Sequence, residues 1–156
     1  MPAKKLKDFL DKNNIRYVTI NHSPAYTAQG IAHIAHISGK ELAKTVILKA
    51  DGKLVMAVLP ATHKVNLDAF RKATGAQSVE LAEERDFEHT FPGCELGAMP
   101  PFGNLWDVPV YVAERLAEDE VIAFNAGSHT ELIQMSYTDF EQLVKPTVIT
   151  ITRLAM

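Results

Sequence analysis

The amino-acid sequence predicts an α+β fold in a single domain, and three observations carry that prediction. The chain has 156 residues, a length that suits one domain with its own hydrophobic core. It contains no internal repeat, no low-complexity tract and no linker-like stretch. Segments with helical and with strand periodicity are mixed irregularly, without the βαβ alternation of a doubly wound fold.

The N-terminal part predicts a helix, a strand and a second helix. Leu6, Phe9 and Leu10 recur at helical spacing within residues 4–13. Residues 16–21 follow as a strand-like run, and Ser23-Pro24 predicts a turn, because proline disfavours helix in the residue before it. Thr27 is placed to cap the second helix.

A β-hairpin is the clearest local signal. Two apolar runs, 45–49 and 54–59, flank Asp51-Gly52. Asp-Gly readily adopts the positive φ angles that a tight hairpin turn requires. Both runs are apolar on both faces, which predicts a central position in a covered sheet.

The remaining elements rest on caps and short apolar runs. Asn66 is placed to cap a helix that ends at Thr74, with Gly75 as its stop. Further along, the sequence predicts short helical pieces over 81–91, an irregular loop over 92–109, strands over 110–112, 121–125 and 132–135, a helix over 137–144 that Ser136 caps, and a last strand over 147–151.

Composition excludes several classes of protein. The hydrophobic share of 47% and the net charge of −3 exclude a disordered chain. Cys94 is the only cysteine, so no disulfide forms within the chain. No apolar run is long enough to cross a bilayer and the N-terminus lacks a signal-like core, so we expect a cytoplasmic protein without membrane contact. A pI near 6.1 argues against a broad nucleic-acid grip but permits local contact with one end of an RNA.

Lys44 is the strongest candidate for a functional side chain. At the start of a predicted strand it shares a face with Val46 and Leu48, and Ile47 lies on the other face. Apolar surroundings destabilise the lysine charge unless an anion or a polar group contacts it. Such a lysine can therefore bind a phosphate, a carbonyl or a carboxylate. The alternative is an ordinary strand-end lysine with its stem packed and its head in water.

A glycine- and proline-rich loop is the second candidate. Residues 92–103 read PGCELGAMPPFG. Glycines let the backbone approach a ligand closely, and free N–H groups there can bind a developing oxyanion. The alternative is a plain surface loop. No nucleotide-binding fingerprint is present.

The third candidate is the segment Asn125-Ala126-Gly127-Ser128-His129-Thr130. A strand running into a Gly-Ser-His turn can supply donor groups to a pocket wall. A catalytic Ser128–His129 pair is disfavoured, because adjacent strand residues point apart and no nucleophile elbow surrounds the serine.

Weaker candidates are better explained without chemistry. His33 and His36 are three residues apart, but no third metal ligand is suggested nearby. Cys94 lacks a basic setting that would activate it. Basic residues near the N-terminus are typical of a solvated face.

Three segments in order resemble one family: Ala43–Lys49, Gly97–Gly103 and Ala126–Leu132. They are similar to the YbaK/EbsC family, the aminoacyl-tRNA synthetase-associated or prolyl-tRNA editing domain. His22–Thr27 and Lys64–Leu67 are similar too, and the likeness extends over about residues 4–150.

The resemblance implies a compact α+β domain with a partly barrel-like sheet, one editing domain over residues 1–156, and trans-editing hydrolysis of the ester of a mischarged tRNA. It implies no metal and no cofactor. The implied partners are the tRNA acceptor end and a synthetase in trans. Lys44 is implied to position the substrate, and backbone N–H groups of the glycine loop to stabilise the oxyanion. The implied substrate-binding residues are His22, Thr45, Gly97, Ala98, Met99, Pro101, Gly127, Ser128 and His129.

Two departures leave the amino acid open. Thr45 stands where some alanine-directed relatives carry asparagine, and Met99-Pro100 is bulkier than the usual small polar pair. Two further hypotheses also stay open. One is a non-catalytic module on the same fold that binds a tRNA end or a synthetase, and the other is a small-molecule hydrolase that uses Ser128 or Cys94.

Overall fold

A computed structural model describes residues 4–22, 41–95, 97–149 and 152–154, the last three by their backbone. The predicted turn at Ser23-Pro24, the second helix and the His33/His36 pair lie outside the described residues. Thr150 and Ile151, predicted to extend the last strand, lie outside them too.

The described elements alternate irregularly, which confirms the α+β prediction. In chain order they are α1 Lys4–Lys12, β1 Tyr17–Asn21, β2 Ala43–Ala50, β3 Lys53–Pro60, β4 His63–Val65, α2 Leu67–Thr74, β5 Val79–Leu81, α3 Glu84–Phe87, β6 Val110–Ala113, α4 Glu114–Ala117, β7 Val121–Ser128, β8 Glu131–Ser136, α5 Tyr137–Val144, β9 Thr147–Ile149 and β10 Thr152–Leu154.

The described residues form three sheets. The five-stranded sheet has the order β5-β2-β3-β6-β9, with antiparallel pairs from β5 to β3 and parallel pairs from β3 to β9. A three-stranded antiparallel sheet has the order β1-β8-β7, and β4 pairs with β10. Strand pairings among the described residues do not close into a complete barrel.

The central hairpin is confirmed. Asp51 and Gly52 have φ angles of 51° and 82°, and β2 pairs with β3 from Ala43↔Pro60 to Ala50↔Lys53. The β3 strand is the middle strand of five, as its two apolar faces predict.

Two core clusters among the described residues lie on the two faces of this sheet. The larger cluster includes Ala43, Ile47, Phe102, Phe124 and Phe140. The smaller cluster consists of Leu48, Val55, Ala57, Leu59, Phe70 and Ala113.

The two predicted N-caps that lie within the described residues are present. The Asn66 side chain accepts the N–H of Ala69, and Gly75 closes α2 at a φ of 77°. Ser136 Oγ accepts the N–H of Asp139 at the start of α5.

Three predictions need correction. The helical prediction over 81–91 was too long, because residues 79–81 form an edge strand on β2 and only Glu84–Phe87 is α-helical. The irregular loop contains a 3-10 turn at Gly103–Trp106. The strand predicted over 121–125 continues to Ser128 through a bulge.

No helix in the described part of the chain is long and apolar enough to cross a bilayer.

Candidate functional site

Lys44 lies at the second position of β2 and is half-buried. Val46 and Leu48 pack in the smaller cluster and Ile47 packs in the larger one, so the predicted division of faces is confirmed. Burial lowers the pKa of Lys44 below the usual lysine value of 10.5, and the charge of Lys64 lowers it further.

The start of β2 lies alongside β7. Leu42 and Ala123 form a parallel bridge, and the N–H of Ala123 donates to the carbonyl of Glu41 at 3.0 Å. Bridged residues point to the same side of a sheet, and side chains two residues further on do so again. Lys44 and Asn125 therefore occupy neighbouring positions on one face, which we call the Lys44 face.

The glycine loop and the Gly127 turn, which are about 30 residues apart in sequence, contact each other directly. The N–H of Glu95 donates to the Gly127 carbonyl at 2.7 Å, and the N–H of Gly127 donates to the Ala98 carbonyl at 3.0 Å. A third bond, from the Ala98 N–H to the Glu95 carbonyl at 3.0 Å, tightens the loop itself. These bonds bring two of the predicted motifs together beside the bulge of β7. We call this contact between the glycine loop and the Gly127 turn the glycine junction.

Positive φ angles explain the glycines at this junction. Gly97 has a φ of 85° and Gly127 a φ of 99°, which side-chain-bearing residues rarely adopt. A Cβ at Gly97 would stand 3.5 Å from Cε1 of His129. The loop therefore passes directly over the His129 ring.

The hydrogen bonds narrow the set of available donors. The N–H groups of Glu95, Ala98 and Gly127 are all used within the junction. The N–H groups of Gly97 and Met99 donate to no other residue in the described part of the chain. These two N–H groups are the candidate loop donors for an oxyanion.

Ser128 and His129 make separate contacts. Ser128 Oγ lies 3.3 Å from Thr130 Oγ1 and accepts the N–H of Thr130 at 3.4 Å. His129 is buried, and its backbone N–H donates to Glu95 Oε1 at 3.3 Å. The pair thus forms part of the wall around the glycine junction.

His22 joins the same corner from β1. Its N–H donates to the Thr130 carbonyl at 2.9 Å. Strand alternation places position 22 on the face of Ile20, which pairs with Leu132, and Leu132 pairs with Asn125. His22 therefore belongs to the Lys44 face.

Other predicted site residues lie differently. Thr45 follows Lys44 in the strand and lies on the opposite face. Ala98 and Pro101 are buried, and the Met99 side chain packs in the larger core cluster. The Met99 side chain therefore belongs to the core, and only the backbone of Met99 remains as a candidate contact for a ligand.

Asn125 was not selected from the sequence, although it opens the segment that was. Its Oδ1 is buried and accepts no hydrogen bond from the described residues. Buried amide oxygens are normally paired, so this oxygen is a candidate acceptor for a ligand or a water. The one signal in the sequence is strand alternation. The neighbours Phe124 and Ala126 both pack in the larger cluster, so Asn125 lies on the opposite face of β7.

Cys94 is unsuited to nucleophilic chemistry. Burial raises the pKa of its thiol to about 11, which keeps it protonated at neutral pH. Within the described residues, no group of three His, Cys, Asp or Glu side chains converges to hold a metal.

A cavity of about 700 Å³ lies elsewhere, at the hairpin-turn end of β2 and β3. Ala50, Leu54, Trp106 and Tyr111 are among its lining residues. Ala50 is six residues along β2 from Lys44, roughly 20 Å at the strand rise. This cavity therefore lies at the opposite end of the strand from Lys44.

Comparison with known sequences identifies the family. Residues 22–143 match the family described as "Aminoacyl-tRNA editing domain". The chain belongs to this family. The matched range contains Lys44, the glycine loop and the Gly127 turn, and the YbaK/EbsC resemblance drawn from those motifs is confirmed.

Curated relatives of the editing domain fall into two kinds. The chain is 27% identical over 111 residues to EbsC of Enterococcus faecalis, a candidate Cys-tRNA(Pro)/Cys-tRNA(Cys) deacylase, covering 70% of this chain and 67% of that protein. It is 29% identical over 105 residues to the proline–tRNA ligase of Leuconostoc citreum, covering 67% of this chain and 18% of the ligase. For the ligase of Bacillus mycoides the identity is 26% over 56% of this chain, which spans about 15% of the ligase's length.

Solved structures share the fold of the editing domain. A candidate trans-editing enzyme for prolyl-tRNA synthetase superposes with a TM-score of 0.81 at 17% identity, covering 97% of each chain. The structure of hypothetical protein APE2540 superposes with a TM-score of 0.84 at 19% identity, covering 96% of this chain and all of that one.

Proposed function

We propose that this editing domain hydrolyses, in trans, the ester bond of a mischarged aminoacyl-tRNA. The observation that carries the proposal is the glycine junction, where the N–H groups of Gly97 and Met99 donate to no other described residue and the loop is held by the bonds to Gly127. The reaction class is carboxylic ester hydrolysis. The likeness to EbsC supports a deacylase acting on tRNA.

The chemistry needs only a modest catalyst, because an aminoacyl ester is already activated. A water oxygen adds to the ester carbon, and the negative charge that develops on the carbonyl oxygen is met by the Gly97 and Met99 N–H groups. Donors held in place before the reaction stabilise such charge without reorganising. The carbon–oxygen bond to the ribose then breaks, and the ribose oxygen takes up the proton that the water gives up. The adjacent free ribose hydroxyl is the proposed relay for that proton.

Lys44 is the proposed positioning residue. Its half-buried ammonium lacks an ion pair among the described residues, so an anionic or carbonyl group of the substrate stabilises it most. Through that contact it would hold the acceptor end or the aminoacyl group against the glycine junction. His22, Ser128, His129 and the loop residues would form the walls of the site.

Selectivity is proposed to come from size. A pocket that excludes a larger side chain discriminates well, whereas one methylene contributes only about 1–3 kcal/mol of binding. Small amino acids are therefore the expected substrates, and the name of EbsC, a candidate Cys-tRNA deacylase, supports cysteine among them. A net charge of −3 favours weak tRNA affinity, so a synthetase is the proposed partner that presents the tRNA. Such a role belongs in the cytoplasm, and we propose that residues 1–156 act as one editing domain.

Deacylation of a panel of charged tRNAs tests the proposal. The panel contains Ala, Ser, Cys, Thr and Pro esters, and each reaction is run with wild-type protein, with Lys44→Ala and without protein. We expect release of one small amino acid by the wild type and none above background by Lys44→Ala. If folded wild-type protein releases nothing from any ester, the deacylase proposal is wrong and a binding module on the same fold takes its place.

A further inference from the structure

A second lysine stands beside Lys44 where the β3–β4 turn folds back onto β2. Lys44 pairs with Leu59, β3 ends at Pro60, and the N–H of Ala61 donates to the Leu42 carbonyl at 2.8 Å. That bond fastens the turn to the start of β2, and β4 with Lys64 follows directly. The charge of Lys64 reaches Lys44, in agreement with this geometry.

The positive charge at this corner is not balanced by carboxylates. Among the described residues neither Lys44 nor Lys64 forms an ion pair, and Lys64 is exposed. Arg153 occupies the backbone position paired with Lys64 in β10. Lys44 and Lys64 therefore place two cations without a described carboxylate partner near each other, in a chain whose net charge is negative.

In the neighbouring corner the positive charge is paired with a carboxylate, so among the described residues of this region the unpaired positive charge is confined to Lys44 and Lys64. Arg115 Nε lies 3.8 Å from Glu118 Oε2, and both line a cavity of about 50 Å³ with His63 and Asp119. His63 is buried, and its pKa is lowered first by burial and then by Arg115 and Lys44. A neutral His63 adds no charge, so the unbalanced pair is Lys44 and Lys64.

Two neighbouring ammonium groups repel each other, and an anion bound between or beside them would stabilise both charges. The substrate of the proposed reaction supplies phosphates, because the amino acid is esterified to the last nucleotide of a single-stranded 3′ end. We infer that Lys64 binds a phosphate of this single-stranded end, next to the nucleotide that Lys44 positions. The inference rests on the proposed function for the identity of the RNA.

The test compares Lys64→Gln with Lys53→Gln, a matched change of an exposed lysine at the opposite end of the same hairpin. Deacylation is measured across a range of salt concentrations. For Lys64→Gln we expect KM to rise about fivefold with kcat unchanged. The slope of log kcat/KM against log salt should become shallower by about 0.7. Lys64→Arg should restore both values, and Lys53→Gln should match the wild type.

An unchanged salt slope and KM in Lys64→Gln would overturn the inference, as would equal changes in Lys53→Gln. Binding of an RNA oligonucleotide ending in CCA, measured by fluorescence anisotropy against salt, separates this inference from the deacylase proposal. If the wild type hydrolyses no ester but Lys64→Gln still weakens binding with a shallower slope, the phosphate site stands and the deacylase proposal fails. If the wild type hydrolyses an ester but Lys64→Gln leaves the salt slope of binding unchanged, the deacylase proposal stands and the phosphate site fails.

Discussion

Two lysines of the same strand, Lys44 and Lys49, are treated differently by the fold. Lys49 Nζ lies 3.5 Å from Asp86 Oδ1 and 3.9 Å from Glu80 Oε1, so its charge is answered within the protein. Lys44 is half-buried, its pKa is lowered, and its charged neighbour is another lysine. A buried charge is tolerated when it is paired, and within the described residues the fold supplies a carboxylate partner for Lys49 but none for Lys44.

The surroundings of the two lysines differ in the same sense. Asp51, at the Lys49 end, accepts the N–H groups of Gln77 and Ser78, both at 3.0 Å. At the Lys44 end, by contrast, Asn125 Oδ1 and the Gly97 and Met99 N–H groups lack partners in the described part of the chain. The polar groups compared here are therefore paired within the protein at the Lys49 end of β2. At the Lys44 end, where we propose the reaction, they have no partner among the described residues.

Exchanging each lysine for alanine is the most severe challenge to this comparison. Lys44→Ala should lower kcat/KM for the edited ester by about 100-fold or more, because a charge aimed at the substrate is lost. Lys49→Ala removes only partly exposed ion pairs, and it should leave kcat/KM within about twofold of the wild type. Steady-state deacylation and circular dichroism of both variants check this. Equal losses in the two variants would contradict a special role for Lys44.

Gly97 and Gly93 offer the next test, since both have positive φ angles, of 85° and 82°. Alanine at either position should destabilise the protein by about 1 kcal/mol through backbone strain. Gly97→Ala should also lower kcat about tenfold, because it displaces the donors of the glycine junction.

Gly93→Ala meets nothing within 4 Å and should keep full activity, so it is the matched control. Denaturant unfolding and single-turnover rates separate the two effects. A Gly97→Ala variant as active as Gly93→Ala would remove the glycine loop from the site.

The pH dependence sharpens the assignment of the charge. The pKa of Lys44 is lowered, so its ammonium is lost at a lower pH than that of an ordinary lysine. Activity that needs this cation should therefore fall as pH rises, with a midpoint below 10.5. In Lys64→Gln the midpoint should move upward, because one like charge is gone. Rates corrected for the base-catalysed loss of the ester in buffer give the midpoint, and an unmoved midpoint would count against the coupling of the two lysines.

Cys94 should show the smallest effect. Cys94→Ala should keep kcat/KM within about twofold, because a thiol with a pKa near 11 is protonated at neutral pH. Alkylation of the native protein by iodoacetamide should be slow at pH 8 and should accelerate in proportion to hydroxide beyond pH 9, while unfolded protein reacts faster. A large loss of activity in Cys94→Ala would revive the small-molecule hydrolase hypothesis.

Elements that depend on neighbours in sequence were predictable. The Asp51-Gly52 turn and the caps at Asn66 and Ser136 arise from local backbone preferences, and all three are present. The edge strand Val79–Leu81 was not predicted, and its last residue was assigned to the helical pieces over 81–91, because three residues carry no periodicity and their conformation comes from pairing with β2.

The site follows the same rule. Lys44 could be placed on its face from strand alternation alone. The junction between Glu95, Ala98 and Gly127 depends on pairing across about 30 residues, which no local pattern encodes. Asn125 was missed for the same reason, since its proximity to Lys44 arises from the parallel bridge between Leu42 and Ala123.

The central claim is that the fold leaves the Lys44 charge for the substrate, and nuclear magnetic resonance of labelled lysine side chains tests it most directly. Lys44 is titrated alone and with a stable amide analogue of an aminoacyl-adenosine that carries a 5′-phosphate, and Lys49 in the same spectra serves as the reference. We predict a Lys44 midpoint below pH 10.5 that rises when the analogue binds, while the Lys49 signal does not respond to it. A Lys44 midpoint at or above 10.5, or one that the bound analogue leaves unchanged, would contradict the account.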